Sequence, residues 1–357
     1  MPSFSRSGRR YEQRFGRVTP AERRASDLFF ADLIGRPVSS LARGGLTEER
    51  DPLKSGLSFL YWDPSRKEFP GRPFDAMTGS AFMKTIAGKE APKNRQQREN
   101  AIVKELINGN FPDFLAQRWE PVVVEDGAGL KGRVWVMPDY LSIGNDQDWT
   151  YIPMSAPTAQ RVADALKCVL PTAKLCHDIY KASTVKLPRI ERDYWHEGKE
   201  RAQRQSAPKD CSQVSTCAYE EHSDAIKKQL RGLNVKPGTF VAGHKKDVII
   251  AANYPRNRVA FQGFYSDKGI PAEPCEEKNH KASDPACKRP GTPTFAHERI
   301  FADYAQGVRL VRAKMSVDGE SDLMKVSDVL AHNRYHKLLS PEGKIVPARV
   351  PDVPIYD

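Results

Sequence analysis

The sequence lacks any apolar run of the roughly 18 residues that a bilayer-crossing helix needs, and its first ten residues carry charge without the apolar segment of a secretory signal. It also lacks the familiar catalytic signatures: there is no G-x-S-x-G, no H-E-x-x-H, no Walker A sequence and no strand-linked G-x-G-x-x-G. Those absences remove the commonest serine-esterase, zinc-protease and nucleotide readings. No RNP motif, zinc finger or helix-turn-helix is present, so no dedicated nucleic-acid motif is expected. Glycine (24) and proline (27) are too few among 357 residues for a collagen, and 39 % hydrophobic residues are enough to build a core.

What the chain does have is basic charge. Fifty-six Lys and Arg face 45 Asp and Glu, a net charge of +11 that suits an acidic partner. The surplus is uneven, since Met1 to Arg50 holds ten Arg against six acids. A second charged stretch, RIERDYWHEGKERAQRQSAPKD, mixes signs and reads as a solvated helix or loop, or as a docking patch.

Six cysteines fall as three local pairs: Cys168 with Cys176, Cys211 with Cys217, and Cys275 with Cys287. The last two pairs sit in polar loops, CSQVSTC and CEEKNHKASDPAC, where a disulfide restrains the unfolded chain. Zinc is the rival, but no C-x₂-C or H-x₃-H spacing joins them. Bridged pairs place the chain outside the reducing cytosol, with a signal peptide cleaved or left out.

Periodicity divides the chain into a basic arm over 1–74, a main domain over 75–320 and a tail over 321–357 that packs on it. The arm carries one helix, TPAERRASDLFFADLIG, with Thr19 as cap, Glu22 completing a capping box and Gly35 as stop. Helices are expected at Thr78 to Ala87, Gln96 to Asn108, Ala156 to Lys167, Pro171 to Ala182 and Ala218 to Arg231, with a short turn at Asn110 to Arg118. PVVVE, DGAG and LKGRVWVM read as a β-hairpin, and WTYIPM, TFVAG, DVIIAA, NRVAFQGFY and GVRLVRAKMSV as strands. Helices followed by strands without βαβ alternation give an α+β fold: a helical N-terminal half with a small hairpin and a mostly antiparallel C-terminal sheet.

Three polar segments are candidates for chemistry. In RVADALKCVLPTAKLCHDIYKA, Cys168 precedes the expected start of a helix, where free N–H groups would favour a thiolate and hold an oxyanion. It reads equally as a buried apolar residue or as a partner of Cys176. In TFVAGHKKDVIIAANY, His244 stands beside a strand, suited to a general base, or is one member of a solvated strand end. Alternation puts His244 with Lys246 and Lys245 with Asp247. In FAHERIFADYAQGVRLVRAK, Asp303 either orients a histidine or caps the turn at Gly307, while His297 and Arg309 could touch substrate.

A fourth region, VWVMPDYLSIGNDQDWTYIPM, crowds Trp135, Tyr140, Trp149 and Tyr151 among Asp139, Asp146 and Asp148. Aromatic faces beside carboxylates suit sugar rings, and a carboxyl pair could serve as acid and base in glycoside cleavage. The N-D-Q-D string lacks the Gly and Glu of a calcium loop. No metal and no cofactor are expected.

The stretches GNFPDFLAQRWEPV, WVMPDYLSIGNDQDW, SAPTAQRVADALKCVLPT, AGHKKDVII and DYAQGVRLV together resemble a family of uncharacterised bacterial proteins, many of them exported. The resemblance spans about residues 75 to 315 and implies no activity. It implies a histidine where this chain has Gln306, and it includes Leu-Pro-Thr after Cys168 but not clearly Cys176.

Together these readings lead to an exported hydrolase cleaving an amide or related acyl bond in an acidic or carbohydrate-containing extracellular polymer such as cell wall. Cys168 would be nucleophile, His244 base and Asp303 its orienter, with Trp135, Tyr140, Trp149, His297 and Arg309 binding substrate. The alternatives are a glycan-processing or glycan-binding protein using residues 135–151, and a non-enzymatic basic surface protein.

Overall fold

Val122, Val124 and Val134 are buried between exposed or half-buried neighbours, and Val136 is buried too, the alternation of a half-buried antiparallel pair. They form β1 (Glu120–Glu125) and β2 (Lys131–Val136), paired Glu120 to Val136 through Glu125 to Lys131. Asp126 Oδ1 accepts from the N–H groups of Ala128 and Leu130 and fixes the turn between them. The structure is a computed structural model that describes residues 69–89, 92–190, 211–254, 257–263, 265, 293–295 and 297–351. The described residues belong to one unit, Leu53–Asp352. The expected helix at Thr19 to Gly35, the stretch 191–210, and Cys275 and Cys287 lie outside them.

The fold is α+β. Among the described residues, three helices precede the hairpin: α1 (Gly79–Ile86), α2 (Pro92–Ile107) and α3 (Asp113–Ala116). Thr78 caps α1 by accepting from Ala81 N. After the hairpin come β3 (Ser142–Gly144) and β4 (Trp149–Tyr151), an antiparallel pair, then α4 (Ala156–Ala165), β5 (Cys168–Val169), α5 (Ala173–Ala182) and β6 (Val185–Lys186). Next is α6 (Thr216–Gly232), with Ser215 as its cap. It is followed by β7 (Val241–Ala242), β8 (Lys246–Val248) and β9 (Phe261–Gln262). The remaining elements are β10 (Gln306–Gly307), β11 (Val311–Arg312), β12 (Lys314–Val317), β13 (Met324–Lys325) and α7 (Val326–Ala331), followed by a 3₁₀ turn at Tyr335–Leu338.

The hairpin is continuous with the C-terminal strands. C-terminal β11 and β12 both pair with β2, and β5 and β13 extend the sheet to the order β13-β12-β2-β11-β5, with β1 also on β2. A second sheet, β10-β8-β9, is mixed: β10 runs parallel to β8 and β9 antiparallel. Helix α5 packs against both β1 and β9. Its apolar side buries Leu175, Cys176, Ile179 and Tyr180, the Leu and Ile side chains stabilising by roughly 1.5–3 kcal/mol each. Tyr140, Trp149, Tyr151, Leu187, Ile226, Leu230 and Val241 form a separate core cluster.

Candidate functional site

Asp139 lies three residues past the end of β2, and backbone bonds pin its segment from two sides. Met137 N and Leu141 N donate to Leu310 O and Val308 O, and Val241 N donates to Pro138 O. Arg309 closes the same junction. Its Nη1 donates to Met137 O at 2.7 Å and its Nη2 to Val241 O at 2.6 Å, with the guanidinium 4.4 Å from the Tyr140 ring centroid. Arg309 therefore holds main chain and an aromatic face.

His244 reaches this junction from the other direction. Gly243, at φ 103°, bends the chain after β7, and a Cβ there would stand 2.5 Å from Leu187 O. Regular strand begins again only at Lys246. Strand alternation therefore does not extend back to His244, which sits against Tyr140 and Tyr151, with ring centroids 5.0 and 5.5 Å away, rather than with Lys246.

The carboxylate facing His244 is Asp139. Nε2 stands 3.3 Å from Asp139 Oδ1, while Asp139 Oδ2 accepts from Tyr151 OH at 2.6 Å. Burial pulls the His244 pKa below the usual histidine value, with Asp139 opposing the shift, so the ring is neutral at neutral pH. Neither ring nitrogen makes a hydrogen bond of good geometry among the described residues: Nε2 meets Asp139 only as the 3.3 Å contact, and Nδ1 has no partner.

Lys245 lies just before the strand β8 and Asp247 within it, and their hydrogen-bond partners are separate. Lys245 Nζ donates to Tyr304 O at 2.7 Å, lies 3.1 Å from His222 Nδ1 and sits over Tyr151. Burial pulls its pKa down to about 7. Asp247 accepts from Tyr140 OH at 3.0 Å and from the Cys176 thiol, yet burial pushes its carboxyl up to about 6 against the pull of Arg309. Gln262 is its partner across β8 and β9. The amide Oε1 of Gln262 and the hydroxyl of nearby Tyr265 are also buried without a hydrogen-bond partner among the described residues. Asp139, Tyr140, Tyr151, His244, Lys245, Asp247 and Arg309 are all at most 4 % exposed.

The other expected site residues lie elsewhere. Asp303 does not orient His244: its Oδ2 pairs with Lys246 Nζ at 2.7 Å, and its Oδ1 accepts from Ala305 N and Gln306 N, the turn-capping role. Lys246 lies over Phe261, whose other neighbour His297 stacks in turn on Phe301. Cys168 is not at a helix N-terminus. It lies in β5 opposite Arg312, with Thr172, the α5 cap, four residues further on. Its thiol donates to Leu166 O, and burial pushes its pKa up, the reverse of an activated thiol. Cys168 and Cys176 are both thiols, not bridged to each other. Trp149 packs edge-on against Phe114 and Tyr151 in the core, Trp135 lies half-buried on the otherwise exposed side of β2, and Asp146 and Asp148 accept from backbone N–H groups of Phe114 and Ser80.

Sequence reasoning singled out His244, Tyr140 and Arg309, placed Asp139 only among the carboxylates of the glycan reading, and gave Asp247 no role. Their signal was in the motifs, since each carboxylate is one residue from a residue already chosen or in its cluster, PDY and HKKD. Among the described residues, the donor atoms close enough to share a metal ion are in a different place, at Cys211, Cys217 and Glu221. No protein-family model matches the chain, and no curated protein and no solved structure matches it either. Its chemistry therefore has to be argued from these residues.

Proposed function

We propose that the chain is a hydrolase of a carbohydrate-containing extracytoplasmic polymer, working by general acid–base catalysis without a thiol. His244, oriented by Asp139, is the base, and its open Nδ1 takes a proton from the attacking water. Asp247, held largely protonated below pH 6, gives a proton to the leaving oxygen. Tyr140 ties the two halves together, its ring against His244 and its hydroxyl on Asp247.

The observation that carries this reading is the unpartnered Nδ1 of a fully buried neutral imidazole whose other nitrogen faces a carboxylate. A network kept only for stability tends to satisfy its members, because each buried orphan costs about 1–3 kcal/mol. Reaction at this cluster requires the chain above it to open, since its members are buried. The basic surplus and the Cys211–Cys217 disulfide support an acidic polymer outside the cytosol.

The test is release of new reducing ends from a panel of polysaccharides and peptidoglycan. His244→Ala should lower turnover by about 10²–10⁴-fold, and the near-isosteric Asp247→Asn by a similar factor, while Cys168→Ala leaves it unchanged. Release of amines or free acids instead would restore the acyl-bond reading, and full activity in His244→Ala would end the assignment.

A further inference from the structure

Helix α6 opens on a second group of chemistry-bearing side chains that the hydrolytic reading does not use. Cys217 and Glu221 are four residues apart on it and share one face, and Cys211 reaches them from the preceding loop, bonded to Cys217. Glu221 Oε1 stands 3.6 Å from Cys211 Sγ and 3.5 Å from Cys217 Sγ, and the three donor atoms all lie within 4.8 Å of one another. A tetrahedral zinc ion with sulfur at about 2.3 Å and oxygen at about 2.0 Å sets a sulfur and an oxygen ligand about 3.5 Å apart. The carboxylate already stands where such a ligand belongs.

We propose that Cys211, Cys217 and Glu221 form a redox-gated site for a zinc-class divalent ion: closed while the two sulfurs are bonded, and open to the metal once that bond is reduced. A dithiol reductant delivers two electrons and two protons to the Cys211–Cys217 bond and itself closes to a disulfide. The ion then displaces the two thiol protons, and two thiolates and one carboxylate bind it. The sulfurs must part to about 3.8 Å around the ion, and the Cα atoms, 5.4 Å apart, leave room for that by side-chain rotation.

Three features prepare the site. Cys217 lies in the first turn of a 17-residue helix, where free N–H groups favour a thiolate. The loop is anchored independently of the disulfide, since Gln213 O accepts from Tyr304 N and Val214 O from Arg98 Nη1. Cys211 is buried, Cys217 half-buried and Glu221 exposed, so the fourth position faces solvent and takes water. Thiolate donors select against calcium and magnesium. The sequence spacing hid the site because the third ligand is a glutamate. A chain that meets both oxidising and reducing compartments would carry the bond in one and the ion in the other.

The experiment uses the full chain, reduced with a phosphine and titrated with Co²⁺ as the probe. A thiolate-to-cobalt charge-transfer band should saturate at one ion per chain, vanish on adding Zn²⁺ and be absent from the oxidised protein. Cys217→Ser should lose the band, and Glu221→Gln, which leaves both sulfurs in place, should bind Co²⁺ at least tenfold more weakly. No band in the reduced wild type, a band undiminished in Cys217→Ser, or unaltered affinity in Glu221→Gln would each overturn the proposal. None of these outcomes bears on His244, so this site and the hydrolytic one stand or fall separately.

Discussion

Lys245 carries an ammonium group at 1 % exposure with a backbone carbonyl and an imidazole as its partners, and no carboxylate within hydrogen-bonding reach among the described residues. Its folded pKa near 7 lies below the unfolded value of 10.5, so between those limits the unfolded chain binds more protons. Stability should therefore rise as pH increases from about 7 towards 10, and chemical denaturation across that range should show the rise flattened in Lys245→Met. His244 and Asp247 give a second pH signature, in catalysis. Activity should rise as pH climbs through the depressed His244 value, below 6.5, and fall above about 6 as Asp247 ionises. The profile of kcat/KM is then a bell with its maximum on the acid side of neutrality, and Asp247→Asn should remove its basic limb. Little of this was legible in the individual residues. A sequence shows that His, Lys and Asp are adjacent in HKKD, but burial sets their proton affinities, and burial here depends on Tyr140, Tyr151 and Tyr304 from distant segments.

The elements were legible where their period was long. Thr78, Thr172 and Ser215 cap α1, α5 and α6, and the hairpin of β1 and β2 falls where valine alternation and the Asp126 turn put it. The two-residue strands were not legible. Cys168–Val169, Val185–Lys186 and Met324–Lys325 are too short to show a period, and only their partners make them strands. GVRLVRAKMSV reads as one strand but is split, because Gly307 pairs with Asp247 in one sheet while Val311 pairs with Val136 and Val169 in the other. At Gly307 a Cβ would stand 2.7 Å from Tyr140 Cδ1 and 2.8 Å from Lys245 Cβ. Gly307→Ala should cost about 1–3 kcal/mol, read as a lower Tm, and should push Tyr140 off Asp247. The cap of α5 has a second duty, since Thr172 Oγ1 accepts from Leu175 N and donates to Leu339 O. Thr172→Ala removes the cap and orphans a carbonyl, so a loss of roughly 1–3 kcal/mol is expected in urea denaturation, whereas Thr172→Ser should retain most of the stability.

Across the whole molecule, the chain order conceals how the site is assembled. Asp139 arrives from just past the hairpin strand, His244 from the bend between β7 and β8, Asp247 from β8 itself, and Arg309 from the approach to β11. Composition fixed the charge, and no helix among the described residues is long and apolar enough to cross a membrane. It could not show that the C-terminal strands return to flank β2, because pairing over such separations leaves no local trace. Arg309 makes that return measurable in time. Its two nitrogens grip carbonyls 172 and 68 positions away along the chain, and a hydrated fork does not meet both until the surrounding framework has formed. Such a clasp closes after the rate-limiting step, so Arg309→Lys should speed unfolding and barely alter refolding, visible as a shift of one arm of the chevron alone. A matching drop in the refolding rate would place the clasp in the nucleus instead.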